Sequence, residues 1–444
     1  MTNTFPHGNR LLQRAHASIP AGIVGFHKLM ASPEYPSFLE RGHGARVVDV
    51  DGNEYIDHVL GKGPVILGHA HPGVTQAVIE QAERGSMLGL TQAVQIDVAE
   101  LLLAAFPGAE KIRFHKTGSD ACSAAVRLAR TFTARRWILS SGYHGWHDWC
   151  NTADAGVPAS TVCCADFAYD LDRLEMLLDE HHGDIAALFV EPQPSFLEPG
   201  FYAELRALAD AAGCLLMFDE VKTGLRLPRG SAQAAAGVTP DLTTVSKAIA
   251  NGYCLSAVLG RAEFMDVSER THISTTYDIE AIPFAAARAT LHELLNTDAL
   301  KRIDAMGCSA VNSLNALCAL HDVGARAFGP GAMFRIGFAD ADAETMFYVE
   351  MVRRGVLMYP YDNHFISLAH GADELQQTIA AADNAFGLVA RAFPNAPPHG
   401  AVAAWEIDRF QNRKGYLRSS AGPDGRRSRR ARTAQAIETE RLRG

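Results

Sequence analysis

The chain has 444 residues, 48% of them hydrophobic, with 38 glycines and a formal charge of -9. That is enough apolar material for more than one lobe, and the acidic balance disfavours a nucleic-acid surface while fitting a cationic ligand. Eight cysteines occur without a Cys-x-x-Cys pair, no basic flank precedes an apolar run at the N-terminus, and no apolar stretch reads as a membrane span. A reduced, cytoplasmic protein with no membrane or nucleic-acid partner is expected.

Near the N-terminus, Val47-Val48-Asp49-Val50 and Tyr55-Ile56 flank the turn Asp51-Gly52-Asn53, which predicts a hairpin. From Val74 to Leu103 the apolar spacing is helical, with interruptions near Gly85 and Gly89. Lys111-Ile112-Arg113-Phe114 reads as a short strand followed by a turn and a helix. Apolar runs then alternate with helical segments: Trp137-Ile138-Leu139, Leu171 to Leu178, Ile185 to Val190, Tyr202 to Ala212, and Cys214 to Phe218. Such alternation predicts a mainly parallel α/β sheet, whose carboxyl ends are where ligands sit. Glu191 and Asp219 stand at two of those ends.

Helical stretches at Ala287 to Leu295 and Ala305 to Leu320, then a strand at Phe334 to Phe338, predict a smaller second lobe. The domain reading is therefore 1–55 as an N-terminal segment joining the small domain, 56–289 as the large domain and 290–400 as the small one. Residues 401–444, with Arg426-Arg427-Ser428-Arg429-Arg430, read as a basic, flexible tail.

Four features point to chemistry. Asp219 closes the apolar run Leu215 to Phe218, where a carboxylate requires a partner; taken alone it reads as a helix cap or a salt bridge, and beside the other features as the partner of a ring nitrogen. Lys247 follows Asp241-Leu242-Thr243-Thr244-Val245-Ser246. An amine that can form a Schiff base and an acid that keeps a ring nitrogen protonated are what pyridoxal phosphate needs. Thr117-Gly118-Ser119-Asp120 opens a helix after a strand, where backbone amides and the Ser119 hydroxyl can hold a phosphate. Tyr143-His144-Gly145-Trp146-His147 offers a flat ring for stacking, or else an aromatic loop packed on the core; its histidines lack the spacing of a zinc site, and no metal is expected. Val221 lies on the same strand face as Asp219, placed to pack against a ring. Lys222 begins a loop and is expected to point to solvent, the alternative being an approach to the cofactor's phenolic oxygen.

Together these residues resemble the class III, fold type I pyridoxal-phosphate aminotransferases, in particular the branch similar to glutamate-1-semialdehyde aminomutase. The resemblance spans roughly residues 15 to 390 and is carried by Asp49 to Asp57, Gly68-His69-Ala70-His71-Pro72, Thr117 to Ala121, Tyr143-His144-Gly145, Phe218-Asp219-Glu220-Val221 and Ser246-Lys247-Ala248. It implies a large domain with a mainly parallel, seven-stranded-type sheet between helices, plus a smaller α+β domain. It further implies Lys247 as Schiff-base and proton-shuttling residue, Asp219 as partner of the pyridine nitrogen, Tyr143 and His144 at the ring, Gly118 and Ser119 at the phosphate, and Val221 on the ring's other side. Glu191 is placed near the site, and Thr276 would reach the phosphate of a neighbouring subunit, so a homodimer with a shared active site is implied.

Departures from the mutases bear on activity. Lys62 in Leu60-Gly61-Lys62-Gly63-Pro64 stands where those enzymes have tryptophan. The segment Val356 to Phe365, including Asn363, lacks their glutamate, and Tyr277-Asp278-Ile279-Glu280-Ala281 departs from their glycine-asparagine-proline run. The expectation is an aminotransferase moving an amino group from an amino-acid donor to a carbonyl acceptor of amino-sugar or aminoglycoside type. A 2,1-aminomutase and a non-catalytic binding protein on the same fold are the alternatives; the presence of both Lys247 and Asp219 speaks against the last.

Overall fold

The strand Ile185–Val190 is buried at all six positions, and its neighbour Leu215–Asp219 at all five. Alternate residues serve opposite sides. Ala187, Phe189, Leu215 and Met217 pack with Ala121, Ala125 and Leu128 of one helix, whereas Leu188, Val190, Leu216 and Phe218 pack with Leu174, Tyr202 and Leu205 of others. Burial on both faces requires apolar residues throughout, which is why these strands read as continuous runs.

The computed structural model describes residues 5–24, 35–150, 156–158, 162–193, 199–360 and 362–400. Its main sheet has strands β1 (Lys111–His115), β2 (Trp137–Ser141), β3 (Cys164–Asp166), β4 (Ile185–Val190), β5 (Leu215–Asp219), β6 (Leu242–Val245) and β7 (Ser256–Gly260). Their spatial order is β1-β7-β6-β5-β4-β2-β3. Only β7 runs against its neighbours, the remaining pairs being parallel. The carboxyl ends of β1, β2, β4, β5 and β6 consequently share one edge of the sheet. Helices Gly118–Thr133, Leu171–Glu180 and Pro199–Ala212 lie between these strands in sequence.

Strand β6 was not apparent in the sequence because two of its four residues are threonines. Each buried hydroxyl has a partner brought by the fold, Thr243 donating to Gln233 Oε1 at 3.0 Å and Thr244 to Asp219 Oδ1 at 3.2 Å. Strand β3, at three residues, is too short for a periodic signal, and β7 (Ser256–Gly260) was not anticipated.

The chain divides into two compact units, Met1–Thr75 with Asp298–Val402, and a larger one that includes Gln76–Thr297. Residues 56–75 thus lie in the smaller unit. Its hairpin, Arg46–Asp49 with Glu54–Asp57, forms around the anticipated turn, and the second strand pairs in parallel with Val356–Leu357. Among the described residues of the smaller unit, His58, His364 and His370 are buried histidines.

One helix of this unit, Ala299–Leu320, is long and apolar enough to cross a membrane by length and composition, contrary to expectation. Its buried residues Ile303, Gly307, Ala310, Leu314 and Cys318 nevertheless recur every three or four positions, the stripe of a helix packed on one side against its own unit. A side chain at Gly307 would collide with the backbone of Gly331, so glycine is needed at that contact. The expected tail, 401–444, lies outside the described residues.

Candidate active site

Leu215, Met217 and Asp219 project to one side of β5, so the apolar run delivers a carboxylate to the face covered by helix Gly118–Thr133. There Asp219 is buried and accepts four hydrogen bonds: from His144 Nδ1 at 2.8 Å, Val221 N–H at 3.1 Å, Thr244 Oγ1 at 3.2 Å and the Cys122 thiol at 3.4 Å. Burial, and then the Asp219 charge, push the Cys122 thiol well above its ordinary range, so it stays S–H and donates. The His144 ring stacks on Phe189 with centroids 4.3 Å apart, and its carboxylate partner assigns the proton to Nδ1. Sulfur, nitrogen and oxygen of Cys122, His144 and Asp219 lie within 4.8 Å of one another, a closeness these hydrogen bonds account for.

Sequence reasoning placed His144 at the site without a partner and missed Thr244 and Cys122. Thr244 is the register neighbour of Asp219 on β6, a relation visible only once the strands are paired. Cys122 lies one turn into the helix that begins at Gly118.

That helix is capped by Thr117, whose hydroxyl accepts from the Asp120 amide at 3.2 Å while the Asp120 carboxylate accepts from the Thr117 amide at 2.9 Å. Gly118 and Ser119 form the first turn, where amides have no intrahelical acceptor. A Cβ on Gly118 would lie 2.8 Å from Val221 Cγ1, and one on Gly145 would lie 2.1 Å from Ser119 Oγ. The turn, Val221 and the loop after β2 therefore form a cradle in which only glycine fits at either contact.

Lys247 leaves β6 beside the Asp219 end of β5. Its φ of 50° places a residue with a long side chain in the left-handed region, a sparsely used conformation that the surrounding fold must impose. Ser246 anchors the turn by donating to Leu255 O at 2.9 Å.

Across the loop after β2, the Tyr143 amide donates to Glu191 Oε2 at 2.9 Å, and the Tyr143 ring is half exposed. The other carboxylate oxygen of Glu191 pairs with Lys222 Nζ at 2.6 Å, the two side chains being 6% and 10% exposed. Lys222 is thus enclosed rather than directed to solvent, because the buried Glu191 carboxylate requires a counter-charge. Thr276 stands apart: it is exposed, on the turn Thr276–Ile279, and no hydrogen bond among the described residues ties it to the cluster.

Residue Glu220 points to the opposite side from Asp219. It accepts from Thr223 Oγ1 at 2.9 Å and from the Ala232 and Gln233 amides at 2.7 and 2.9 Å, so it caps helix Ala232–Ala236. Burial pushes its carboxyl up to about 7.

The class-III aminotransferase family model matches residues 30–372. Among characterised relatives, 3-aminobutyryl-CoA aminotransferase of Cloacimonas acidaminovorans is 35% identical over 84% of this chain and 94% of the relative. The 2'-deamino-2'-hydroxyneamine transaminase of Streptomyces kanamyceticus is 39% identical over 78% and 91%, and a glutamate-1-semialdehyde 2,1-aminomutase of Roseiflexus castenholzii 35% over 88% and 98%. The Sphingopyxis sp. MTA144 FumI protein, solved in its PLP internal aldimine form, superposes with a TM-score of 0.83 at 32% identity, over 88% of this chain and 98% of that one. The residues present fit pyridoxal phosphate: an amine at Lys247, a buried carboxylate at the end of β5, and a helix start where glycine alone clears Val221. The chain belongs to the class III aminotransferases, as a fold type I enzyme dependent on pyridoxal phosphate.

Proposed function

We propose that the protein moves an amino group from an amino-acid donor to an aldehyde or ketone of amino-sugar or aminoglycoside type, in the cytoplasm and as a homodimer. The observation that carries the reading is the pairing of Asp219, oriented by four donors, with Lys247, held in a left-handed backbone beside it on the same sheet edge. Bound there, pyridoxal phosphate supplies an electron sink for the charge that develops at the carbon bearing the substrate nitrogen.

The chain supplies the rest. Lys247 is the amine that would hold the cofactor's aldehyde, and its freed side chain would carry a proton at the substrate carbon. Asp219 keeps the ring nitrogen protonated, with His144 fixing the carboxylate's orientation. Gly118 and Ser119 present helix-start amides and a hydroxyl to the phosphate, Tyr143 covers one face of the ring and Val221 the other, and Glu191 holds the Tyr143 amide. The exposed position of Thr276 supports a role toward the phosphate of a second subunit.

Two of the relatives bear on the acceptor. The neamine-type transaminase is 39% identical, against 35% over a longer stretch for the 3-aminobutyryl-CoA aminotransferase, and the net charge of -9 favours a polycationic ligand. The test is a screen of amino-acid donors against amino-sugar carbonyls, with a β-keto acyl thioester as a separate arm. Turnover of the thioester alone overturns the amino-sugar assignment. Similarity to the aminomutase favours a second reading: conversion of a semialdehyde to its isomer with no free keto product would replace transamination by that reaction.

A further inference from the structure

We propose that the buried Lys222–Glu191 ion pair is a strut that ties together the two residues flanking the cofactor ring, Tyr143 and Val221, and so positions that ring. The inference rests on the assignment of those two residues to the ring's faces. Glu191 leaves the end of β4 with both carboxylate oxygens engaged, Oε2 by the Tyr143 amide and Oε1 by Lys222. Its own carbonyl accepts from the Tyr169 hydroxyl at 2.9 Å, which anchors it to the frame.

The loop before Tyr143 lies directly against this residue. A Cβ on Gly142, whose φ is 106°, would stand 2.4 Å from Glu191 Cβ, so any side chain there would push Tyr143 away. On the other side, Lys222 follows Val221, whose amide is held by Asp219 and whose side chain touches the Gly118 position. The sequence of contacts Tyr143–Glu191–Lys222–Val221 therefore fixes the spacing of the two faces. A neutral residue at 222 would break the chain of contacts and remove the counter-charge that pairs with Glu191 Oε1.

The experiment is titration of the apoprotein with pyridoxal phosphate, read by visible absorbance for affinity and by induced visible circular dichroism for the seating of the ring. Lys222→Met is expected to weaken affinity about tenfold and reduce the dichroism, and Glu191→Gln, which keeps an acceptor for the Tyr143 amide, to change both in the same direction. In a Tyr143→Ala background, Lys222→Met should add less than about twofold, because its effect runs through Tyr143. Equal losses in both backgrounds overturn the strut, as does a lowered apoprotein melting temperature with affinity and dichroism unchanged. If Tyr143→Ala alone leaves both readouts unchanged, the stacking assignment itself is what fails.

Discussion

Asp219 and Glu220 are adjacent, almost equally buried, and face opposite sides of the same sheet edge, yet their surroundings differ in kind. Glu220 accepts from two amides at the start of a helix and from Thr223, and so satisfies backbone donors that the fold would otherwise strand. Asp219 instead gathers side chains from three separate places, the loop after β2, the helix that begins at Gly118, and β6. A buried acid at a strand end is therefore not by itself a sign of chemistry. What separates the two is whether the donors are backbone groups in need of an acceptor or side chains recruited to orient one.

The largest expected effect tests the site as a whole. Lys247→Ala should lower transamination by about 10^3-fold or more, with the melting temperature close to that of the parent. Asp219→Asn should follow, with a loss of about 10^2-fold in kcat and little change in stability. Glu220→Ala should reverse that pattern: about 1–3 kcal/mol of stability lost through unsatisfied amides, with kcat/KM of the folded fraction nearly unchanged. Equal activity losses at 219 and 220 would break the comparison.

The pH dependence of stability sharpens it further. The Glu220 carboxyl titrates near 7 when folded, above its ordinary 4.5, so the native state holds a proton that the unfolded chain has released. Its contribution is full below 4.5 and is lost as pH rises to about 7, by up to about 1.4 kcal/mol per pH unit. His58 in the smaller unit behaves oppositely: burial lowers it from 6.5 to about 4, so its contribution is full above 6.5 and is lost as pH falls toward 4. Calorimetry between pH 4.5 and 6.5 should show Glu220→Gln with a steeper rise of stability with pH than the parent, and His58→Gln with a shallower one. The smallest effect is expected for Thr244→Val, about threefold in kcat, since three other donors remain on Asp219.

Much of this was legible in the sequence. The buried strands announced themselves as apolar runs, and Asp219 stood out because an acid ended one of them. Lys247, Gly118 and Tyr143 followed from their order along the chain. The partners of those residues were not legible, for a common reason: Thr244 meets Asp219 across a strand pair, Cys122 meets it through a helix packed on the sheet, and Lys222 meets Glu191 from a different loop. Side chains that act through long-range pairing leave no local pattern, and a buried lysine resembles an exposed one until its counter-charge is known.

The central claim is that Lys247 and Asp219 hold pyridoxal phosphate for amino transfer, and the visible spectrum of the purified protein with added cofactor tests it most directly. The prediction is a lysine-dependent absorbance band that an amino-acid donor bleaches with release of its keto acid, that a carbonyl acceptor restores, and that Lys247→Ala never develops. Protein that takes up no pyridoxal phosphate, or a band that survives Lys247→Ala unchanged, would contradict the account.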